Sequence, residues 1–215
     1  MVNRINFVNE MECLIRDVQI VGAQLQETLD DVIGNLADKN EVLAKKIIKN
    51  DIWFNKSEHD ITEKCLKLVL TQSPVATDWR EIASIMKMIS DIERIADHCS
   101  DISKYTMYLA HEEPVNLPEY FGDMINVMRE MVFDSVQCFI DSNVELSRKI
   151  IDTDNVVDNY FNRFRQDIAV LIKENPDKVE QYINYLMIGK YVERIADHAT
   201  NIAEWIIYIV KNELK

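Results

Sequence analysis

The sequence predicts an all-α fold: two tandem antiparallel three-helix bundles, six helices in all. Three observations carry that reading. Gly and Pro number only four each in 215 residues, where ordinary usage gives about fifteen and about eleven. A many-stranded fold needs more turns than that. Apolar residues recur at three- and four-residue intervals rather than in alternation, which is the helical period. A six-residue segment, Glu93-Arg94-Ile95-Ala96-Asp97-His98, returns unchanged as Glu193 to His198, the mark of an internal repeat.

The breaks in the pattern set the elements in order. Pro74 follows the apolar Leu66 to Leu70, Pro114 and Pro118 bracket a short gap, and Pro176 follows Lys173-Glu174-Asn175. Each sits where a helix stops or starts. Asp38 with Glu41, and Ser142 with Glu145, fit the N-cap and N3 positions of a capping box. The predicted helices run over 4–36, 40–71, 78–111, 118–140, 143–174 and 177–212. In the last, Val192, Ile195, Ala196, Ala199, Ile202, Ala203, Ile206, Ile209 and Val210 lay down one apolar face, as a bundle requires. Lys46 to Asp51 is echoed by Lys149 to Asp154, which aligns the second helices of the two copies as well. With Pro114 to Pro118 as the joint, the expected domains are 1–113 and 114–215, each one three-helix repeat.

Composition narrows the function. The chain is 47% apolar and 28% charged, a folded balance. A net charge of −13 repels a phosphate backbone, so nucleic acid is excluded as a partner. The nearest thing to a basic cluster is Lys45, Lys46 and Lys49, read as solvated positions. The four cysteines, at 13, 65, 99 and 138, form no C-x-x-C pair and are read as reduced, buried thiols. The start of the chain lacks an apolar signal core, and no run of about 18 apolar residues occurs. The expected place is the cytoplasm, peripheral to the membrane at most.

The repeated acids are the candidate chemistry. Glu193, Asp197 and Asn201 advance by four residues each, so they form a slowly drifting stripe beside the apolar face, continued by Glu204. The first copy gives the same stripe as Glu93, Asp97 and Asp101. On the preceding helix the second copy has Asp154 and Asp158. The first copy has Asp51 and Asn55 there, with Glu58 close by. Two readings stand at this stage: a solvated acidic face, or a surface on which carboxylates share adjacent cations. Arg94 and Arg194 sit beside the stripes and ease the repulsion in either case. His98 and His198 fall about 100° further round than the Asp before them. They are read as core-edge residues with a hydrogen-bond partner rather than as ligands. The Glu-x-x-His spacing of di-iron bundles is absent, as are nucleotide-binding glycine patterns and any nucleophile motif. No catalytic residue and no enzyme activity is expected.

The segments Asp91 to His98 and Tyr191 to Glu204 resemble the signature of the PhoU family, as does Gln72-Ser73-Pro74-Val75-Ala76-Thr77-Asp78-Trp79-Arg80. The resemblance runs over essentially the whole chain. It implies two three-helix bundles acting as a negative regulator of phosphate-starvation signalling. The implied partners are the ATPase subunit of the phosphate ABC transporter and a phosphate-sensing histidine kinase, with a homodimer as the common state. It also implies a capacity for polynuclear iron or zinc clusters, or another divalent cation, on the Glu/Asp-x-x-x-Asp motifs. Those map here to Glu93 with Asp97 and Glu193 with Asp197, joined by Asp154 with Asp158. Asn55 departs from the pattern, where a second acid is expected after Asp51. Two other readings stay open: a metal-storage protein or metalloenzyme, and a metal-binding or metal-free helical adaptor for a different phosphate transporter.

Overall fold

The structure, a computed structural model, describes residues 2–72 and 74–212; Ser73, within one of the signature stretches, lies outside them. The described residues contain no strand. Six long helices follow one another: α1 (Val2–Asp38), α2 (Glu41–Gln72), α3 (Ala76–Tyr108), α4 (Tyr120–Asp141), α5 (Val144–Glu174) and α6 (Val179–Lys211). A 3-10 turn at Pro176–Lys178 precedes α6, because proline fits the first turn, where its missing N–H is no loss. The predicted boundaries hold to within a few residues.

The capping residues differ from expectation. Asn40, not Asp38, caps α2, its Oδ1 accepting from Val42 N at 2.9 Å and Leu43 N at 3.2 Å. Asn143, not Ser142, caps α5 by accepting from Leu146 N at 3.0 Å. The cause is the conformation of the preceding residue. Lys39 and Ser142 take positive φ, 48° and 50°, which ends one helix before the next begins. Asn35 Oδ1 accepts from Asn40 N at 2.8 Å and locks the first of these corners.

Each helix turns one stripe inward. On α1 the buried set is Phe7, Met11, Leu14, Val18, Val21, Leu25, Leu29 and Val32, a repeat of three and four that coils one helix along its neighbours. Successive helices run antiparallel: Lys64 reaches back to Asp17 across α1 and α2, and Lys149 to Asp134 across α4 and α5. The buried side chains of both halves form one continuous cluster. The halves meet most extensively along α3 and α6, and α1 also touches α4. Gly22 permits that second approach, since a Cβ there would lie 2.9 Å from Val136 Cγ1. Gly189 on α6 does the same for an aromatic stack: a Cβ would meet the Phe164 ring at 3.0 Å, and Phe164 lies flat on Phe121 with centroids 4.4 Å apart.

Cys65, Cys99 and Cys138 are buried free thiols, and burial pushes Cys65 and Cys99 up to about 12. Cys13 departs from the expectation. It is exposed on the outer side of α1, with Arg16 Nη2 donating to its sulfur at 3.1 Å.

Candidate metal centre: two acidic clusters and an asymmetric seam

The helical register puts the predicted acids of each half beside one another. In the first half Asp51 and Glu58 come from α2, and Glu93, Asp97 and Asp101 from α3. Partial burial raises the Asp51 carboxyl, and Asp97 and Asp101 push it further. Glu93 is raised by the same cause, with Asp97, Asp51 and Glu58 adding to it while Arg94 opposes. The Asn55 amide Nδ2 donates to Asp51 Oδ2 at 3.0 Å. Asp51 Oδ1 is buried and has no hydrogen-bond partner among the described residues.

The second half repeats the arrangement. Asp154 and Asp158 on α5 face Glu193 and Asp197 on α6. Asp197 is pushed up to about 6, first by partial desolvation and then by Glu193, Asp154 and Asp158. Burial raises Asp154 as well, with Asp158, Glu193 and Glu204 adding to it. Counter-charge is sparse: Lys190 donates to Glu193, and Lys104 donates to Asp101 at 2.8 Å. Arg94 lies 3.5 Å from Glu93 and 3.9 Å from Asp97.

Asn201 is placed differently from the other stripe residues. Its Nδ2 donates to Asp91 Oδ1 at 3.2 Å, across the α3–α6 seam, while the residue lines one cleft with Asp154 and Asp197. Steps of four residues advance a helix by about 40° beyond a full turn. Two such steps from Glu193 carry position 201 round toward the other half.

The histidines come together at that seam. His98 and His198 lie with ring centroids 5.5 Å apart, beside a cleft of about 430 Å³ that Arg194, Asp197 and Asp154 also line. His198 has the expected partner, its Nδ1 2.8 Å from Asp91 Oδ1. His98 does not. It is only 6% exposed, and its Nδ1 lacks a hydrogen-bond partner among the described residues. Burial, with His198 beside it, holds its imidazole down to about 4. The two copies explain the difference. The residue matching Asp91 is Tyr191, whose ring lies tilted beside His98 with centroids 5.4 Å apart and has no carboxylate to offer. The residue matching Asn201 is Asp101. Comparing the repeats outside the identical hexapeptide contains this signal: an Asp/Tyr exchange at one position and an Asp/Asn exchange at another.

The donors fit hard and borderline cations. Closely set carboxylates, an orphaned Asp51 oxygen and an orphaned imidazole nitrogen form a negatively charged, partly desolvated surface. Asp97, His98 and Asp101 each present a ligand atom, and all three atoms lie within 4.8 Å of one another. Asp51, Glu58, Glu93, Asp97 and Asp101 would hold metal in the first half, and Asp154, Asp158, Glu193 and Asp197 in the second. Bound cations would supply neutralisation of the stacked charge. The chain's own residues supply rigidity, since each cluster bridges two helices whose apolar sides are locked in the core.

Known proteins resemble this chain over nearly its whole length. The PhoU domain model matches residues 18–106 and 121–206. The phosphate-specific transport system accessory protein PhoU homologue of Clostridium acetobutylicum is 29% identical over 205 residues, 95% of this chain and 94% of that one. The crystal structure of PhoU from Pseudomonas aeruginosa superimposes with a TM-score of 0.91 at 26% identity, over 96% of this chain and all of that one. The phosphate transport system regulatory protein PhoU from Streptococcus pneumoniae gives a TM-score of 0.90 at 27% identity, over 97% and 99%. The chain belongs to the PhoU family.

Proposed function

We propose that this chain is an accessory protein of a phosphate transport system and a negative regulator of phosphate uptake and phosphate-starvation signalling. The observation that carries the reading is family membership across both repeats, with relatives of that description aligned nearly end to end. The protein acts by binding rather than by turnover. Its contacts are with the ATPase subunit of the transporter and a sensor histidine kinase, which it holds in the non-signalling state when phosphate is ample. Among the described residues no helix is long and apolar enough to cross a membrane, which suits a cytoplasmic protein that meets those partners at the inner membrane face. Each repeat is one domain, 1–113 and 114–215, and two copies of the chain associate as a homodimer. The paired acidic clusters take metal, iron or zinc by the chemistry of their donors, and present a stiff charged surface.

The test is a deletion strain carrying a phosphate-starvation reporter and grown in ample phosphate. Loss of repression, restored by the wild-type chain, is the expected result. Repression that persists in the deletion strain would contradict the regulatory role.

A further inference from the structure

The groove between α1 and α2 carries opposite charge on its two walls. Three hollows lie in line along it, of about 320, 160 and 460 Å³. The α1 wall brings the acids Glu10, Asp17, Glu27 and Asp31 to them. The α2 wall brings Lys46, Lys49, Lys64 and Lys67, with Asp60 the one acid among the described lining residues on that side. Ile20 and Trp53 stand exposed at the middle hollow. Part of this charge is already matched within the chain, Lys64 with Asp17 at 2.6 Å and Lys46 with Asp31 at 3.6 Å. Glu10, Glu27, Lys49 and Lys67 take part in no ion pair among the described residues. Glu10 and Lys67 share the first hollow, and Glu27 and Lys49 the last. Each free acid thus stands level with a free lysine on the opposite wall. The second repeat does not copy the basic wall, because the positions matching Lys49, Lys64 and Lys67 are Asp152, Asp167 and Val170.

We infer that the α1–α2 groove is the surface on which two copies of the chain meet, related by a two-fold axis parallel to the helices. Rotation about that axis lays α1 of one copy over α2 of the other at unchanged height, so the same contact forms twice. Acidic α1 then faces basic α2 on both sides. Glu10 reaches Lys67 of the second copy, and Glu27 reaches its Lys49. Ile20 of each copy comes over Trp53 of the other and covers the apolar surface left open at the middle hollow. An axis across the helices would instead set α1 on α1, acid against acid, which is unfavourable. A wall of acids beside a wall of lysines is complementary to its own reverse, which is what a second copy presents. The groove runs from Asn9 to Asp31 along α1, roughly 33 Å of helix. Two helices side by side are about 20 Å wide. Each copy then covers roughly 650 Å² and the pair about 1,300 Å², within the range of stable interfaces.

This rests on the homodimer reading above, and the test separates the two. Sedimentation velocity of the full chain over a series of concentrations gives the dissociation constant of the dimer. Circular dichroism checks that each variant keeps its helices. Lys49→Glu combined with Lys67→Glu sets acid against acid on both sides of the axis and raises the dissociation constant at least about tenfold. Adding Glu10→Lys and Glu27→Lys exchanges the charges of the two walls and returns the constant to near its wild-type value. A double variant that dimerises as well as the wild type overturns this surface and leaves the homodimer standing. A loss in the double variant that the fourfold variant does not recover overturns the pairing of α1 with α2. A wild type that stays monomeric overturns both readings.

Discussion

His98 and His198 face each other across the α3–α6 seam with ring centroids 5.5 Å apart, yet His198 Nδ1 rests on Asp91 while His98 Nδ1 rests on nothing described. Identical hexapeptides thus end in unlike environments. Burial and the neighbouring His198 disfavour a charge on His98, so its imidazole is held down to about 4. In metal-free protein an NMR titration is expected to show His98 neutral down to that pH. The sign follows from linkage. A depressed folded pKa stabilises the fold above about 6.5, the unfolded value, and that stability is lost as pH falls toward 4. A midpoint for His98 near 6.5 would contradict the burial seen here.

Asp91 binds two α6 residues at once, His198 at 2.8 Å and Asn201 at 3.2 Å. Replacing it with Ala leaves both polar groups at the seam without their partner. Asp91→Ala is expected to cost about 1–3 kcal/mol in urea unfolding, with the loss falling on the joint between halves. A variant as stable as the wild type would mean water replaces the carboxylate without penalty.

Asp78 ties the start of α3 to α1. Its carboxylate pairs with the Arg4 guanidinium, with Nη2 donating to Oδ1 at 3.0 Å, and it accepts from Val75 N at 3.3 Å. The Arg4 hydrogen bond holds the Asp78 carboxyl below the usual carboxylate range. The stability this contributes is present above the unfolded value of about 3.9 and is lost as pH falls through the lowered one. Unfolding curves of wild type and Asp78→Asn are therefore expected to differ at pH 6 and converge in strong acid. Parallel curves at every pH would show that the carboxylate charge plays no part.

The second half leans on one aromatic stack. Phe164 is fully buried, lies 4.4 Å from Phe121, and faces Gly189. Phe164→Ala is expected to cost about 3–5 kcal/mol. Gly189→Leu errs in the other direction, forcing atoms into the ring, at about 1–3 kcal/mol. Thermal unfolding measured by circular dichroism checks both. Little change in either would show that the core repacks freely.

Long-range order was more legible in the sequence than local detail. Apolar spacing and the four prolines located all six helices, because a helix of thirty residues repeats its period many times. The caps lie one or two residues beyond the positions that residue chemistry alone indicates. Asp38 and Ser142 have the right chemistry, and only the positive φ at Lys39 and Ser142 moves the cap onward to Asn40 and Asn143. The acids of α2 with α3, and of α5 with α6, were expected to converge, and the structure sets them side by side. The seam was not legible in the hexapeptide. Phase alone turns His98 away from Asp97, but α6 packs against that side and Asp101, one turn on, swings into the space. Which histidine finds a partner depends on Asp91 and Tyr191, residues that belong to opposite helices.

The proposed function treats the paired acidic clusters as metal sites. Elemental analysis by inductively coupled plasma mass spectrometry, on protein purified without an affinity tag, tests it most directly. The comparison is between the wild type and a variant carrying Glu93→Gln, Asp97→Asn, Glu193→Gln and Asp197→Asn. Stoichiometric iron or zinc in the wild type, absent from a variant that still folds, is the predicted result. A metal-free wild type, or metal retained in full by the variant, would contradict it.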